Sequence, residues 1–323
     1  MANIIGNALS NFLYGTSAND TIDAGADDDY INTGGGNDYV DAGEGNDKIF
    51  LLSGKSYVIG GNGDDTFYSA GTGHTIFGGA GFDTLDYSNA GGPIYLSVSY
   101  GNGKLSGYSG ETFTSIEKFV GSSYNDTFFG GGGADEFHGG NGNDTLFGFG
   151  GQDIIFGGNG DDWINGGDVG DYLFGDAGND KIEGDVGADY AWGGTGNDVM
   201  TGGDADDNLF GEDGNDTLNG GADNDKLFGG EGLDTFIGGT GSNNLYLGPS
   251  NFATPFPGSF DGDADLVIHQ AGSAYSHDHI HQFEAGKFGN DLIQLDNSHF
   301  TAVDQIFSSM KQVGDDVVIK TGA

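Results

Sequence analysis

Residues 193–219 decide the fold of this chain, because they repeat one nine-residue pattern three times: GGTGNDVMT, GGDADDNLF and GEDGNDTLN. Glycine stands first, aspartate sixth and an apolar residue eighth in each unit. Followed outward, the pattern runs without a gap from Gly121 to Tyr246 as 14 units. An earlier run from Gly15 to Asp86 contains eight more. A fixed internal period of this kind indicates a repeat architecture.

Two positions of the unit are nearly invariant. The sixth is Asp in 19 of the 22 units, the exceptions being Ser56, His74 and Asn243, and the eighth is apolar in all 22. Since only 35% of the chain is apolar, chance does not explain the eighth position. The last three residues of each unit predict a very short strand with one side chain directed inward. The first six predict a tight turn in which glycine adopts backbone angles closed to other residues.

The charge of the chain indicates a cation ligand. It has 50 acidic against 9 basic residues and a net charge of −41. Such a charge disfavours nucleic acid and anionic membrane surfaces as partners. A chain this acidic and this poor in apolar residues stays disordered unless something offsets its charge. Carboxylate and main-chain carbonyl oxygens are the ligands that a hard cation such as Ca²⁺ prefers.

The pattern G-G-x-G-x-D-x-U-x resembles the RTX (repeats-in-toxin) family of calcium-binding nonapeptide repeats over 198 of the 323 residues. The resemblance implies an all-β fold, a right-handed parallel β-roll in which two units make one turn and Ca²⁺ lies between stacked turns. It also implies secretion through the type I ABC exporter of a Gram-negative bacterium and folding outside the cell. The initiator Met, followed directly by repeat-like sequence, and the cap at the other end favour a stand-alone protein.

Units two apart place their aspartates 18 residues apart, which predicts stacked pairs and about 15 calcium ions. Fifteen divalent ions would reduce the net charge from −41 to −11. The predicted calcium ligands are Asp20, Asp29, Asp38, Asp47, Asp65, Asp83, Asp126, Asp135, Asp144, Asp153, Asp162, Asp171, Asp180, Asp189, Asp198, Asp207, Asp216, Asp225 and Asp234.

Some units depart from the pattern. Asp27, Val169, Ala205 and Asp223 are among the residues that replace the glycine at position four. A β-branched valine is costly at positive φ, so the sites beside Val169 are expected to be weak. Ser56 and His74 are expected to leave gaps on one edge of the first block.

The repeats divide the chain into five segments. They are an N-terminal cap or degenerate repeat at 1–14, the first β-roll block at 15–86, a connector at 87–120, the second block at 121–246, and a β-rich C-terminal cap with the export-signal region at 247–323. In the first segment, Asn11 and Leu13 match the aspartate and apolar positions of a unit. The cap is needed because a repeat stack must cover its last apolar layer.

Local patterns outside the repeats predict further elements. In the connector, alternation in PIYLSVSY followed by GNG predicts a hairpin or paired strands. In the C-terminal segment, VIHQA, IHQF, LIQL and VVIK predict short strands, and AVDQIFSSMKQ predicts a helix.

Two other metal sites are conceivable. Asp261, Asp263 and Asp265 have the acidic start of an EF-hand loop, but the glycine and glutamate that the loop needs are absent, which leaves an irregular calcium site as the alternative. In HDHIH, His277, His279 and His281 share one face of a predicted strand. They form either a site for a second metal such as Zn²⁺ or a polar strand face.

No enzyme motif stands out, and the aspartates occupy equivalent places in equivalent turns, so the chain is predicted not to be an enzyme. It has no cysteine, no secretory signal peptide and no apolar run long enough to span a bilayer. A structural, adhesive or host- or matrix-interaction role, with a polysaccharide or cell-surface partner, is one prediction. The alternative is a non-catalytic module of, or accessory to, an extracellular enzyme such as an alginate epimerase, lyase, lipase or protease.

Overall fold

A computed structural model gives the structure of the chain. It describes residues 1–70, 73–98, 102–104, 110–247, 266–269, 277–281, 292–295, 310–313 and 316–320, and gives the main chain alone at 102–104 and after residue 247. In these residues every regular element is a β-strand. The described residues include no helix that is long and apolar enough to cross a membrane. The chain forms two compact units, residues 1–158 and 159–323, which are described one at a time.

The first unit contains 18 strands, the last of which ends one residue into the second unit. They are β1 (Asn3–Asn7), β2 (Phe12–Tyr14), β3 (Thr21–Gly25), β4 (Tyr30–Asn32), β5 (Tyr39–Glu44), β6 (Lys48–Leu51), β7 (Tyr57–Asn62), β8 (Thr66–Ser69), β9 (Thr75–Ala80), β10 (Thr84–Asp86), β11 (Tyr95–Ser97), β12 (Asn102–Lys104), β13 (Thr112–Thr114), β14 (Lys118–Val120), β15 (Thr127–Phe129), β16 (Glu136–Asn141), β17 (Thr145–Gly150) and β18 (Ile154–Asn159).

The second unit continues with the remaining strands. They are β19 (Trp163–Asp168), β20 (Tyr172–Ala177), β21 (Lys181–Val186), β22 (Tyr190–Thr195), β23 (Val199–Asp204), β24 (Asn208–Asp213), β25 (Thr217–Ala222), β26 (Lys226–Glu231), β27 (Thr235–Gly239), β28 (Asn244–Tyr246), β29 (Leu266–His269), β30 (His277–His281), β31 (Leu292–Leu295), β32 (Met310–Val313) and β33 (Asp316–Lys320).

The described strands form three sheets, and within each block of repeats successive strands alternate between two of them, so that a strand pairs in parallel with the strand two further along the chain. In the first unit, β3 pairs with β5, and Ile22 lies opposite Val40. In the second unit, β21 pairs with β23, and Ile182 lies opposite Met200. Each partner is one 18-residue turn away. The predicted stacking of units two apart is confirmed, and the fold is an all-β parallel solenoid.

The core is a single file of apolar side chains between the two sheets of each block. The eighth residue of every unit is buried, from Ile22 to Leu245. Each strand contributes one such residue because alternate side chains point to opposite faces of a strand. The core is therefore thin, and burial of apolar surface cannot by itself hold a chain with a net charge of −41 together.

The N-terminal segment pairs with the first block in the same 18-residue register as the repeats. Leu13 lies opposite Ile31, and Asn11 donates its N–H to Oδ1 of Asp29, so residues 1–14 continue the repeat pattern as predicted.

In the connector, β11 pairs in parallel with β15, and β12 pairs antiparallel with β13. The predicted hairpin is thus present, but its strands are different. Asn102 and Gly103 of the expected turn lie in β12, because main-chain pairing with Thr112–Thr114 holds them extended.

The C-terminal strands extend both sheets of the second unit. Strand β29 pairs with β27, and β30 pairs with β28. The four predicted short strands are present. The helix prediction for AVDQIFSSMKQ is wrong at Met310–Gln312, which belong to β32, because β32 pairs antiparallel with β33. The rest of that helix prediction, and residues 261–265, lie outside the described residues.

Outward-facing aromatic rings stack along the second unit. The rings of Phe174, Trp192, Phe210, Phe228 and Tyr246 follow one another with centroid distances of 4.3–5.3 Å and interplanar angles of 3–12°. Each ring lies one turn from the next, and the spacing follows from the separation of neighbouring strands. The aromatic residues therefore pack against one another along the sheet.

Candidate metal centre

The aspartate of each unit ends the turn and precedes the strand. All 19 predicted ligands are buried, with at most 8% of their surface exposed. The strand that follows each aspartate fixes its main chain, because the residue after it begins the parallel ladder. Lys181 N–H, for example, donates to the carbonyl of Asp162 over 2.8 Å. The side chain is consequently held inside the turn.

One oxygen of each carboxylate joins neighbouring turns. The main-chain N–H of Asp180 donates to Oδ1 of Asp198 over 2.7 Å. The same bond, 2.6–3.0 Å long, joins 13 aspartate pairs that are 18 residues apart within the two units. The aspartates therefore form continuous columns along the edges of the roll, as their spacing predicted.

The second oxygen is left for another ligand. Within the part of the chain that the structure describes, Oδ2 is buried without a hydrogen-bond partner in nine aspartates: Asp29, Asp47, Asp65, Asp83, Asp180, Asp189, Asp198, Asp207 and Asp216. A buried carboxylate oxygen without a partner is costly, by about 1–3 kcal/mol or more. Its regular recurrence indicates a ligand that is shared by all these turns.

The glycine at position one forms the opposite side of this space. A methyl group added to Gly193 would lie 2.3 Å from Oδ2 of Asp198 and 2.7 Å from the carbonyl oxygen of Gly211. The same clash with Oδ2, at 2.2–2.8 Å, recurs at 13 described position-one glycines between Gly60 and Gly229. Two oxygens converge there, and a methyl group on the glycine backbone would clash with both. This explains why position one is glycine throughout the second block.

The donor set fits calcium. It consists of a carboxylate oxygen and main-chain carbonyl oxygens, which are hard ligands. No group of three or more His, Cys, Asp or Glu side chains comes together as metal ligands in the described residues. A cation here must therefore take much of its shell from the main chain. Ca²⁺ accepts six to eight such oxygens in flexible geometry, whereas Mg²⁺ demands a rigid octahedron.

Burial sets the protonation of the columns when no cation is present. Burial, with a smaller contribution from neighbouring aspartates, raises the pKa of Asp65, Asp180 and Asp207 to about 8. Burial likewise raises the pKa of Asp189 and Asp216 to about 7. At neutral pH the carboxylates need either a proton or a cation.

Three aspartates satisfy Oδ2 within their own turn. Thr16 donates both its N–H and its hydroxyl to Oδ2 of Asp20, over 2.7 and 2.6 Å. Ser122 N–H donates to Oδ2 of Asp126, and Gly131 N–H to Oδ2 of Asp135. The sequence analysis missed these interactions. A hydroxyl residue at position two, four residues before the aspartate, is the signal that would have identified two of them.

The connector continues two columns with glutamates that the sequence analysis also missed. Asp83 N–H donates to Oε2 of Glu117 over 2.9 Å, and Glu136 N–H donates to the carbonyl of Glu117. Glu111 follows His74 in the other column, since Thr112 N–H donates to the carbonyl of His74. The irregular spacing of residues 87–120 concealed both positions. We call Asp20, Asp38, Ser56, His74 and Glu111 the Asp38 column, and Asp29, Asp47, Asp65, Asp83 and Glu117 the Asp65 column.

The gaps expected at Ser56 and His74 are bridged. Asp38 N–H donates to Oγ of Ser56 over 3.1 Å, and Ser56 N–H donates to Nδ1 of His74 over 3.1 Å. The Asp38 column is therefore continuous, although two of its members carry no carboxylate.

A second ladder at position five was not predicted. Asn215 N–H donates to Oδ1 of Asn197 over 2.8 Å, and Asn197 N–H donates to Oδ1 of Asn179 over 2.9 Å. Aspartate serves equally, as between Asn179 and Asp161. These side chains are exposed and join turns from the outer side. In the sequence, this ladder is indicated by the frequent Asn or Asp at position five of the units.

Comparison with known proteins agrees with this geometry. The family described as RTX calcium-binding nonapeptide repeat matches residues 5–86 and 114–251 in eight overlapping segments, which is more than half of the chain. The chain belongs to the RTX calcium-binding repeat family. It is accordingly a calcium-binding β-roll repeat protein, with Ca²⁺ as its ligand. No curated protein matches the chain.

Among solved structures, the RTX chain is similar to a hyperactive, Ca²⁺-dependent, β-helical antifreeze protein from an Antarctic bacterium. The identity is 18%, the TM-score is 0.36, and the match covers 97% of this chain and 95% of that chain. This likeness carries no argument about the function of the present chain.

The second predicted metal site is placed only in part. HDHIH forms β30, so the predicted strand is present, and His279 lies opposite Asn244 in the main-chain register. The imidazole side chains lie outside the described residues, and their role as ligands of a second metal stays a prediction.

Proposed function

We propose that this RTX protein is exported from a Gram-negative cell by a type I ABC exporter and folds outside the cell when calcium fills its turns. The proposal rests on one observation, the regular row of buried Oδ2 atoms without hydrogen-bond partners. The predicted aspartates would hold the ions, about 15 in number, together with main-chain carbonyl oxygens. Export in the unfolded state is consistent with a chain whose columns of carboxylates repel one another until a cation binds.

Outside the cell, we propose a structural, adhesive or matrix-interaction role with a polysaccharide or cell-surface partner, and no catalytic role. The described turns repeat the same chemistry, whereas a catalytic centre needs groups whose pKa values and positions differ from those of their neighbours. The stacked rings of the second unit offer an extended surface of the kind that repeat proteins use for binding.

The proposal is tested by far-UV circular dichroism of the full chain. In EDTA the chain is expected to be largely unfolded at pH 7.5, and millimolar Ca²⁺ is expected to produce the β-sheet signal cooperatively. Equal concentrations of Mg²⁺ serve as the control and should not restore the signal. Equal spectra in EDTA and Ca²⁺ would contradict calcium-coupled folding.

A further inference from the structure

The two edges of the first block differ in how they satisfy their carboxylates. In the Asp65 column, Oδ2 of Asp29, Asp47, Asp65 and Asp83 lacks a hydrogen-bond partner in the described residues. In the Asp38 column, Oδ2 of Asp38 accepts the hydroxyl of Ser56 over 3.3 Å. Oδ2 of Asp20 accepts two hydrogen bonds from Thr16. Neither aspartate of the Asp38 column therefore retains a buried oxygen without a hydrogen-bond partner in the described part of the chain, whereas Oε2 of Glu111 at the end of the column does.

The residues at position one of the units also distinguish the Asp38 column from the Asp65 column. The space that glycine leaves open beside Asp65 and Asp83 is occupied along the Asp38 column by larger side chains. Thr33, Leu51 and Ser69 stand at position one of three successive turns, and each is at most 2% exposed. The hydroxyl of Ser69 donates to Oε1 of Glu111 over 2.8 Å, which extends the hydrogen-bonded chain beyond His74.

The Asp65 column is more open at the same position. Gly60 and Gly78 leave room beside Asp65 and Asp83, where an added methyl group would lie 2.2 and 2.3 Å from Oδ2. Its first two turns carry alanine at position one, which is the smallest side chain that could narrow this space. The contrast between the edges is therefore sharpest between Asp38 and Asp65.

We infer that the first block binds calcium along the Asp65 column only, and that the Asp38 column is a metal-free spine held by side-chain hydrogen bonds. This inference rests on the proposed calcium function of the turns and removes the Asp20–Asp38 pair from the predicted sites. The turns along this column are linked by hydrogen bonds from or to Ser56, His74 and Glu111 instead of by ions. The space that the ions would need is filled by the side chains of Thr33, Leu51 and Ser69.

The electrostatics of the spine agree with this assignment. Burial lowers the pKa of His74 to about 4, so its imidazole is neutral at physiological pH and accepts the N–H of Ser56. Burial raises the pKa of Glu111 to about 7, although the bond from Ser69 opposes the shift. A column with so little negative charge needs few cations to be stable.

The two columns of the first block should form at different stages of folding. Chain segments that contribute to the spine can form their turn-to-turn hydrogen bonds without calcium, whereas the Asp65 column cannot do so without burying repelling carboxylates. The first block should therefore assemble around the spine and then be completed by calcium on its other edge.

Two matched variants of the full chain test the inference. Asp38→Asn and Asp65→Asn both keep the Oδ1 that accepts the N–H of the preceding turn. Calcium bound per chain is measured by equilibrium dialysis with elemental analysis, and circular dichroism verifies the fold. Asp65→Asn should lose at least one calcium per chain, because an amide NH₂ cannot replace Oδ2 as a ligand. Asp38→Asn should retain the full complement.

Loss of calcium in Asp38→Asn to the same extent as in Asp65→Asn would overturn the inference. A full complement in Asp65→Asn would instead contradict the proposed calcium function on the other edge, so the two failures are distinguishable. The double variant Leu51→Gly with Ser56→Asp restores an open position one and a carboxylate to the spine. It should gain at least one calcium per chain, and no gain would also overturn the inference.

Discussion

The main-chain N–H of Asp180 donates a 2.7 Å hydrogen bond to Oδ1 of Asp198, one turn further along the same edge. Asp180 in turn accepts the N–H of Asp162 through its own Oδ1, also over 2.7 Å. Asp180 thus contacts the preceding turn through its carboxylate and the following turn through its main-chain N–H, and its Oδ2 remains for a cation. Calcium binding and turn stacking are therefore coupled through the same side chain.

Replacing a central aspartate should disturb this coupling more than replacing a terminal one. Asp180→Ala removes a link inside the column and divides it into two cooperative segments, whereas Asp20→Ala shortens a column at its end. We expect Asp180→Ala to raise the calcium midpoint of folding by about tenfold, equivalent to ~1.4 kcal/mol, and to reduce the steepness. Asp20→Ala should change both less. Calcium titrations followed by circular dichroism measure the difference, and superimposable curves would show that turns bind independently.

The pH dependence of folding should reverse between the calcium-free and the calcium-bound protein. Without calcium, the folded-state pKa of Asp180 is about 8, above the unfolded value of 3.8. The folded state then holds more protons, so its stability is fully present below the unfolded pKa and is lost as pH rises through about 8. In EDTA, the β-sheet signal should therefore be stronger near pH 4 than near pH 8.

With saturating calcium, the bound ion favours the ionised carboxylates and lowers their pKa values. Stability is then present above the unfolded aspartate pKa and is lost as pH falls through the lowered values. Thermal melting between pH 3 and pH 8 with calcium and with EDTA measures both trends. The same sign of pH dependence in the two series would contradict the cation-site assignment.

Relief of backbone strain at Val169 should stabilise the protein. Val169 has φ 78° and is 54% exposed, so replacing it loses little burial. Positive φ is unfavourable for a β-branched residue by about 1–2 kcal/mol. Val169→Gly is expected to raise the free energy of unfolding by about 1 kcal/mol in saturating calcium, after the greater entropy loss of glycine is subtracted.

Asp223 provides the matched control for Val169. It has φ 77° at the same position of another unit, but aspartate tolerates this conformation better. Asp223→Gly should therefore change the melting temperature less than Val169→Gly does. A lower melting temperature for Val169→Gly would show that the valine side chain contributes more than its strain costs.

The sequence predicted the register, the short strands, the buried apolar file and the aspartate columns, because all of them repeat. The φ angle is positive at Asp27, Val169, Ala205 and Asp223, where these residues replace the glycine of position four. The column residues that the sequence did not predict lie in the connector, where the nine-residue repeat is interrupted. Glu111 and Glu117 enter their columns through a connector whose path depends on tertiary pairing, and no spacing rule locates them.

The position-five ladder was missed for a different reason. Its Asn and Asp residues are exposed and vary between units, so they read as ordinary turn residues. Whether an oxygen of such a side chain reaches the N–H of the next turn depends on how closely the turns stack, and only the structure gives that distance.

The outer ladder should contribute measurably to stability. Asn197→Ala removes the acceptor of Asn215 N–H and is expected to lower the free energy of unfolding by about 1 kcal/mol. Asn197→Asp keeps an oxygen acceptor and should lower it less. Urea unfolding in saturating calcium measures both values, and equal losses in the two variants would argue against a hydrogen-bond contribution.

The most direct test of the account is calcium anomalous scattering from crystals of the full chain grown with Ca²⁺. We predict anomalous density in the turn beside Oδ2 of Asp198 and the carbonyl oxygen of Gly211, repeated at the equivalent turns of the second unit and beside Asp65. We predict none beside Asp38. Turns that contain only water under saturating calcium, with Oδ2 of Asp198 bonded to main-chain N–H groups, would contradict the assignment of these oxygens as calcium ligands.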